Sequence, residues 1–260
     1  MFKRLLRNIA LLILVIFIIF WIAEAISYRP TVIVNNLVKR GRLNSQVIKL
    51  KLTYLTVIPL GVAEIENLGK ERFRRQELVH IRAEARTFDY IASIFHAKAV
   101  INSYIDPKNF NAVYFLQHME MINKPDEDKE ISYDQKRHLM KYQGPRGQEE
   151  RVIDNDAQDP LSALYYFQNK PFKVGDEFAL SLNTNQKNYV IKAKCIGNET
   201  LSSAGRDYVV WIMESSVNRK DKSPRHQSIF KIWFLDNNGL KIPILIKAMT
   251  DLGPVMAKAI

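Results

Sequence analysis

The sequence predicts a mainly β protein: a single antiparallel, strongly curved sheet or half-open barrel with one or two short helices, preceded by an N-terminal transmembrane helix. Three observations support this fold class. Short segments of alternating apolar and polar residues recur along the chain, few segments have helical periodicity, and an uncharged apolar run lies near the N-terminus. Strands that follow one another without intervening helices favour antiparallel pairing over βαβ units.

The apolar run, residues 8–23, is uncharged and follows Lys3, Arg4 and Arg7. A transmembrane helix needs about 20 apolar residues to cross a 30 Å hydrocarbon layer, and residues 5–26 reach that length if Arg7 and Glu24 are tolerated near the ends of the span. We therefore expect an uncleaved signal anchor with the long domain outside the cytoplasm. The alternative is a cleaved signal peptide, because a small-x-small triplet at residues 23–25 fits a cleavage site. A buried core helix is disfavoured, since the run is hydrophobic all round and follows three basic residues.

The chain divides into three parts on this interpretation. Residues 1–27 form the signal anchor, residues 28–45 a juxtamembrane helix and linker, and residues 46–260 a β-rich envelope domain. The short helix is predicted because Ile33, Val34, Leu37 and Val38 share one helical stripe. Its apolar face is expected either to dock on the domain or to lie on the membrane surface.

The net charge indicates which partners to expect, and the cysteine content indicates how the fold is stabilised. The formal net charge of +11 favours anionic lipid headgroups or acidic envelope polymers, rather than nucleic acid, as partners outside the cytoplasm. The alternative is that the basic residues, which are spread along the chain, only solvate the surface. The only cysteine, Cys195, alternates with apolar residues and is predicted to be a small core residue. One thiol permits no internal disulfide, so the fold must be stabilised by its core.

Apolar and polar residues that alternate with a period of two predict the strands. Asn237, Asn238 and Gly239 predict a hairpin turn between two of them. The predicted strands are 47–52, 60–68, 78–86, 98–105, 112–121, 131–142, 177–183, 189–196, 207–215, 228–236, 240–250 and 255–260. An apolar segment at residues 88–95 is predicted to form a helical turn, and residues 124–128 an acidic loop. Roughly ten strands are therefore expected in one sheet.

One longer helix interrupts the strands. Asp159 is a favourable N-cap, a proline follows it at the first helical position, and Leu161, Leu164 and Tyr165 form an apolar stripe. These features predict a helix over residues 160–168.

No catalytic or metal-binding pattern is present in the sequence, so neither an enzyme nor a cofactor is predicted. Ser162 lacks the Gly-x-Ser-x-Gly elbow of hydrolases and lies inside the predicted helix, where a packing or capping role is expected. The five histidines are widely spaced and have no cysteine partner. A pair of catalytic carboxylates brought together only by folding remains open.

Five aromatic residues in the last hundred positions are the candidate ligand-binding residues: Tyr165, Tyr166, Phe167, Trp211 and Trp233. They have two interpretations. They fill the core between the helix and the concave sheet, as buried aromatics commonly do, or they line an apolar cavity that accepts an acyl chain.

The helix and the residues around it resemble a known family, the bacterial envelope domain of unknown function 3108. The resemblance rests on the block Asp159-Pro160-Leu161-Ser162-Ala163-Leu164-Tyr165-Tyr166-Phe167, then on Pro171, Gly175, Asp176, Trp233, Asp236, Pro243 and Gly253, with weaker support from Tyr54, Gly61 and Ala63. It covers about residues 46–260, and Gln168 departs from it where relatives often have Arg. The resemblance implies a secreted or envelope-facing β-rich domain and no agreed activity.

The expected function is that of a membrane-tethered, non-catalytic envelope protein that binds a lipid, an acylated ligand or an envelope partner protein on its curved sheet. The expected location is the bacterial inner membrane, with a single pass and the C-terminal domain in the periplasm, or the periplasm itself if the signal is cleaved. The alternatives are a structural or assembly scaffold of the envelope and, less favoured, an enzyme acting on an envelope polymer.

Overall fold

The structure is a computed structural model that describes residues 28–41, 46–93, 95–184, 186–221, 228–250 and 253–260. The predicted signal anchor, residues 1–27, lies outside the described residues. Among the residues that are described, no helix combines the length and the apolar character needed to cross a membrane.

Three short helices and fourteen strands make up the described chain. The helices are α1 (Pro30–Lys39), α2 (Asp89–Ala92) and α3 (Pro160–Asn169). The strands are β1 (Val47–Tyr54), β2 (Ile58–Phe73), β3 (Gln76–Thr87), β4 (Ala97–Ile105), β5 (Ala112–Met121), β6 (Glu127–Asp134), β7 (Leu139–Gly144), β8 (Gly147–Val152), β9 (Glu177–Thr184), β10 (Lys187–Ser203), β11 (Arg206–Arg219), β12 (Ser228–Asn237), β13 (Leu240–Thr250) and β14 (Gly253–Ala259).

All fourteen strands form one antiparallel sheet with the order β8-β7-β6-β5-β4-β3-β2-β1-β14-β13-β12-β11-β10-β9. Every pair of neighbours is consecutive in the chain except β1 and β14, which join the two halves. The sheet is not closed, because β8 and β9 are its two edges. The prediction of a mainly β fold with one antiparallel sheet and few short helices is therefore confirmed.

The sequence predicted fewer strands than the sheet contains. Residues 131–142, predicted as one strand, belong to β6 and β7, which are separated by a turn in which His138 has a φ of 55°. Part of the predicted acidic loop, from Glu127 onward, belongs to β6. Strand β8 was missed because its residues are polar and mostly exposed, as an edge strand allows. Apolar alternation detects only strands that have one buried face.

Helix α1 docks on the domain. Its apolar stripe of Ile33, Val34 and Leu37 is buried in a cluster with Tyr208 and Ile242. Of the two expected positions for this helix, the structure therefore places it on the domain.

The two longer helices cover opposite faces of the sheet at β11 and β12. Val210 and Leu235 are cross-strand partners that pack in the cluster of α1, whereas Trp211 and Phe234 are partners that pack in the cluster of α3. Successive strand residues point to opposite faces. Phe234 and Leu235 are both completely buried, so the sheet is covered on both sides here. We call the face on which α3 packs the inner face.

The segment between the two edge strands spans the gap in the sheet. Gln158 lies parallel to β9 and exchanges two backbone hydrogen bonds with it, to the Ser181 carbonyl (2.8 Å) and from the Asn183 N–H (2.7 Å). The side-chain amide of Asn188 in β10 donates a hydrogen bond to the carbonyl of Val152 at the end of β8 (3.0 Å), which links the two sides of the gap. This segment leads directly into α3 and so holds the helix at the gap.

Candidate functional site around helix α3

Helix α3 begins at a reciprocal capping box. Asp159 Oδ1 accepts hydrogen bonds from the backbone N–H groups of Leu161 (2.8 Å) and Ser162 (3.0 Å). The Asp159 N–H in turn donates to Ser162 Oγ (2.8 Å). The predicted cap at Asp159 and the capping role of Ser162 are both confirmed. Four N-terminal N–H groups of a helix lack internal partners, and this box satisfies the ones that are buried.

Asp159 is also the link between α3 and the sheet. Its Oδ2 accepts a hydrogen bond from the hydroxyl of Ser103 in β4 (2.6 Å), and both side chains are completely buried. Burial raises the pKa of the Asp159 carboxyl above its ordinary value, although the hydrogen bonds from Ser103 and Ser162 act in the opposite direction. Burial dominates because a charged carboxylate loses its hydration in a site enclosed by protein.

A chain of amide side chains continues this buried polar network toward β5. The Gln158 amide donates to Asn111 Oδ1 (3.0 Å), and the Asn111 amide donates to Asp156 Oδ1 (2.7 Å). The Gln135 amide donates to the carbonyls of Ala112 (2.8 Å) and Ala157 (2.9 Å). The segment before α3 is thus fixed to the sheet by side-chain hydrogen bonds.

Tyr133 lies near Asp159 but takes no part in this hydrogen-bond network. Its hydroxyl is buried and has no hydrogen-bond partner among the described residues. Burial, together with the nearby Asp159 carboxylate, raises the pKa of Tyr133 well above its ordinary value.

Replacing Tyr133 by phenylalanine is expected to leave the free energy of unfolding unchanged or to raise it by up to about 1 kcal/mol, because an unpaired buried hydroxyl is costly. Tyr28→Phe is the matched control, since Tyr28 Oη lies 2.7 Å from Thr53 Oγ1 and that hydrogen bond is lost. The control is expected to destabilise by about 1 kcal/mol. Urea denaturation of both variants measures the difference. A Tyr133→Phe chain less stable than the Tyr28→Phe chain would contradict this account.

An unbroken series of aromatic rings runs between α3 and the inner face. Neighbouring centroids lie 5.5–6.5 Å apart, and the rings meet edge to face. In order along the series, the rings are Tyr165, Phe110, Tyr166, Phe167, Phe178, Phe172, Trp211 and Phe234, with the last two both contacting Phe172. This geometry is the preferred one for aromatic pairs.

Four of the five predicted ligand-binding aromatics belong to this series. Phe167 is buried, while Tyr165, Tyr166 and Trp211 are only partly buried. The structure therefore brings together these four side chains around one helix.

Trp233 is not among them. It follows Ile232 and precedes Phe234 in β12, and its cross-strand partners are Ile212 and Leu245, so it lies on the face opposite to α3. There it packs against the α1 cluster, and the Lys247 ammonium lies 5.1 Å from its ring centroid. Burial lowers the pKa of Lys247, and the like charge of Lys231 adds to this effect.

Four aromatic members of the site and one polar member are not among the candidate residues predicted from the sequence. Phe110 lies in the β4–β5 connection, Phe172 follows α3, Phe178 is the second residue of β9, Phe234 lies in β12, and Ser103 lies near the end of β4. Phe172 and Phe178 both follow the predicted helix closely and could have been included on proximity in sequence. Phe110, Ser103 and Phe234 lie far from the helix in the sequence, and only the sheet topology and register bring them to α3.

Groups that could bind metal do not converge in the described part of the chain: no cluster of three or more His, Cys, Asp or Glu side chains forms there. Cys195 is completely buried, which confirms its predicted place in the core. Burial raises the pKa of its thiol. The thiol is therefore a poor nucleophile in the folded domain.

Residues 49–260 match the family described as "Protein of unknown function (DUF3108)". The chain belongs to this family. The match covers the whole sheet apart from the first residues of β1, and it includes the capping box and all five predicted aromatics. The resemblance found in the sequence is confirmed. No curated protein matches the chain.

Two solved structures are similar to the DUF3108 domain. One is the β-barrel-like protein of domain of unknown function DUF1849 from Brucella abortus, with a TM-score of 0.54, 10% sequence identity, and coverage of 83% of this chain and 95% of that one. The other is the hypothetical lipoprotein YmcC from Escherichia coli, with a TM-score of 0.32, 13% identity, and coverage of 83% and 87%. At 10% identity the first likeness shows the fold alone.

Proposed function

We propose that this chain is a membrane-tethered, non-catalytic protein of the bacterial cell envelope, which binds the acyl chain of a lipid or of an acylated molecule between α3 and the inner face of its sheet. Residues 1–27 anchor it in the inner membrane by a single pass, and the DUF3108 domain lies in the periplasm. The observation that carries the proposal is the aromatic series between α3 and the sheet.

The physical argument compares two apolar interactions. Each edge-to-face ring pair contributes about 0.5–1.5 kcal/mol beyond the apolar area that it buries. An acyl chain gains about 0.8 kcal/mol for each CH₂ group removed from water. Tyr165, Tyr166 and Trp211 are only partly buried, so they are the rings that an incoming acyl chain contacts or displaces first. Burial of about ten CH₂ groups contributes roughly 8 kcal/mol. Binding requires this gain to exceed the loss of two or three ring pairs, of the area that those rings bury, and of the hydrogen bond from Trp211 Nε1–H to Asp236 Oδ2 (3.4 Å).

The capping box supports a non-catalytic role. Asp159 has a raised pKa, and a carboxyl of that kind is the usual starting point for a proposal of general acid catalysis. Here its oxygens accept three protein hydrogen bonds, and the side chain is enclosed. A substrate cannot reach it without unfolding the start of α3, so its role is structural.

Native mass spectrometry of the detergent-extracted full-length protein tests the proposal. We expect the mass of the uncleaved chain and, on a fraction of it, additional mass equal to that of a phospholipid or acylated molecule. Trp211→Ala is expected to lower the ligand-bound fraction, because it removes a ring from the inner face. Trp233→Ala is the matched control, since it removes the same side chain from the opposite face and is expected to leave that fraction unchanged.

Two results would contradict parts of the proposal. A parent chain that carries no added mass under any gentle extraction would remove the ligand-binding role. A mature chain that begins near residue 26 would replace the tether with secretion to the periplasm, the alternative that the triplet at residues 23–25 leaves open.

A scaffold that works by docking to other envelope proteins is the second candidate function. The observation that favours it is that, among the described residues, the segment around α3 packs its own apolar side chains against the sheet. The described residues form four apolar clusters, and residues 153–172 contribute to three of them through Ile153, Ala157, Leu161, Ala163, Phe167 and Phe172. Crosslinking in intact cells separates the candidates: a scaffold is recovered with a protein neighbour, and a lipid-binding protein is recovered with lipid.

A further inference from the structure

The up-and-down topology places alternate connections at the same rim of the sheet. The connections that follow the odd-numbered strands, from β1–β2 to β13–β14, all lie at one rim, which we call the proximal rim. Those that follow the even-numbered strands lie at the opposite, distal rim.

The proximal rim carries most of the exposed large apolar side chains of the described residues. Leu55 and Ile58 lie in and beside the β1–β2 turn, Tyr90 and Phe95 in the β3–β4 connection, and Ile122 in the β5–β6 turn. Their exposed fractions range from 37% to 62%. Isolated exposed apolar residues are normal, but a concentration of them at one rim marks an interaction surface.

Two more exposed apolar residues extend this surface along the other half of the sheet. Ile229 and Met249 are cross-strand partners at the beginning of β12 and near the end of β13, and they are 49% and 62% exposed. Only four large apolar side chains of the described chain are comparably exposed elsewhere: Leu68, Val152, Val174 and Ile196.

Hydrogen bonds join the segments that carry these side chains. The Tyr90 hydroxyl donates to the Pro59 carbonyl (3.3 Å), which connects the β3–β4 segment to the β1–β2 turn. The Ile122 N–H donates to the His96 carbonyl (3.0 Å), next to Phe95. On the other side, the Leu55 N–H donates to the Pro254 carbonyl (2.9 Å), and Pro254 is the cross-strand partner of Met249.

The chain also enters the described domain beside this rim. Tyr28 is hydrogen-bonded to Thr53, the penultimate residue of β1, and the Lys258 ammonium lies 4.6 Å from the centre of its ring. From there α1 runs toward the distal rim, where Leu37 adjoins Ile48 at the start of β1. Residues 1–27 therefore join the domain on the proximal side.

We propose that the proximal rim lies against the membrane and inserts its apolar side chains into the lipid interface. This inference rests on the proposed function, because the anchor at residues 1–27 brings the bilayer next to Tyr28. Each residue of extended chain spans at most about 3.6 Å, so a span that ends near residue 26 leaves the domain little distance from the headgroups. Tyr side chains, such as that of Tyr90, are favoured at that depth, because one end of the ring is apolar and the other is wet. Phe95 adds a wholly apolar ring of the kind that interfacial segments bury among the lipids.

Fluorescence of full-length single-site labelled variants in lipid nanodiscs tests the inference. Phe95→Cys, Ile122→Cys and Met249→Cys place a polarity-sensitive fluorophore at the proximal rim. Val174→Cys and Ile196→Cys are matched controls, because these residues are similarly exposed but lie away from that rim. Leu14→Cys reports on the predicted anchor itself. Cys195 is completely buried, and the parent chain without an added cysteine measures its background labelling.

We expect a blue-shifted emission, and loss of it when nitroxide-labelled lipid is added, at the three proximal positions and at residue 14, with neither effect at the two controls. Quenching at residue 14 without quenching at the proximal positions would overturn the rim inference and leave the tether standing. Quenching at the rim without quenching at residue 14 would support the rim and overturn the tether. Quenching at none of these positions would overturn both. The thermal unfolding of each variant is compared with that of the parent to verify that the domain is folded.

Discussion

Replacing Asp159 by alanine is expected to lower the free energy of unfolding by about 4 kcal/mol, because three buried donors lose their acceptor and α3 loses its cap. The donors are the hydroxyl of Ser103 and the N–H groups of Leu161 and Ser162. Removing the carboxyl also removes the cost of burying it, which offsets part of the loss. The net effect is large because the truncated site is too enclosed for water to reach all three donors.

Equilibrium denaturation of the full chain at neutral pH measures this effect. Asp89→Ala is the control, since Asp89 lies in the first turn of α2 with a fully exposed side chain, and its replacement is expected to cost less than about 0.5 kcal/mol. Asp159→Asn keeps an acceptor at the capping position and is expected to fall between the two. An alanine variant at residue 159 no less stable than the Asp89→Ala control would show that α3 is not held by its cap.

The pH dependence of Asp159 has the opposite sign to that of the surface carboxyls. Its pKa in the folded protein is raised above the ordinary value of 3.8, so protonation favours the folded state. The stabilisation that protonated Asp159 provides is complete below about pH 3.8 and is lost as the pH rises through the pKa of the folded protein. Stability of the parent relative to Asp159→Asn is therefore expected to increase as the pH is lowered from about 7 to about 4. Glu120 and Glu177, whose pKa values are lowered by Lys98 and Lys194, act in the other direction but equally in both chains.

Replacing Gly61 by alanine is expected to destabilise the domain by about 3 kcal/mol, as overpacking against backbone does. A Cβ at residue 61 would lie 2.9 Å from the carbonyl carbon of Arg86, closer still to its oxygen, and 3.0 Å from the Cα of Thr87. Thr87 is the cross-strand partner of Gly61, so the clash lies within the β2–β3 ladder. Backbone atoms cannot turn away as a flexible side chain can, and the two strands must separate locally.

Gly197→Ala is the matched control for this prediction. Gly197 also lies in a strand, at the bulge of β10, and a Cβ there would have no atom within 4 Å. The control is expected to change the free energy of unfolding by less than about 0.5 kcal/mol. Equal destabilisation by the two substitutions, measured by denaturant unfolding, would mean that loss of glycine itself, rather than the close approach of Arg86, decides the cost.

Local chemistry was sufficient to predict the helix of the site and several turns. Asp159 followed by proline predicts where α3 begins, and the helix ends one residue beyond the predicted limit. The hairpin turn predicted at Asn237, Asn238 and Gly239 joins β12 to β13, and Asp236 Oδ1 accepts a hydrogen bond from the Gly239 N–H (2.8 Å). Capping and turn residues act over three or four positions, so their effects are visible in a short stretch of sequence.

The face of the sheet on which each aromatic residue lies could be known only from the register of the strands. Trp211 and Trp233 have similar sequence surroundings, but Trp211 pairs with Phe234, which places Trp233 on the other face. A β-bulge between Trp233 and Phe234 in the pairing with β13, and another between Cys195 and Gly197, change which face later residues occupy. A shift of one residue reverses the face of every side chain that follows, and nothing local to either tryptophan specifies that shift.

The sequence by itself determined that the chain is mainly β, that it belongs to the DUF3108 family, and where its capped helix begins, because alternation, capping and turn chemistry are local properties. Only the tertiary structure decided that the sheet has fourteen strands with β1 joined to β14, that Ser103 and Phe110 reach α3, and that exposed apolar residues from separate turns meet at one rim. These features depend on strand order and register, which are set by contacts between residues far apart in the chain.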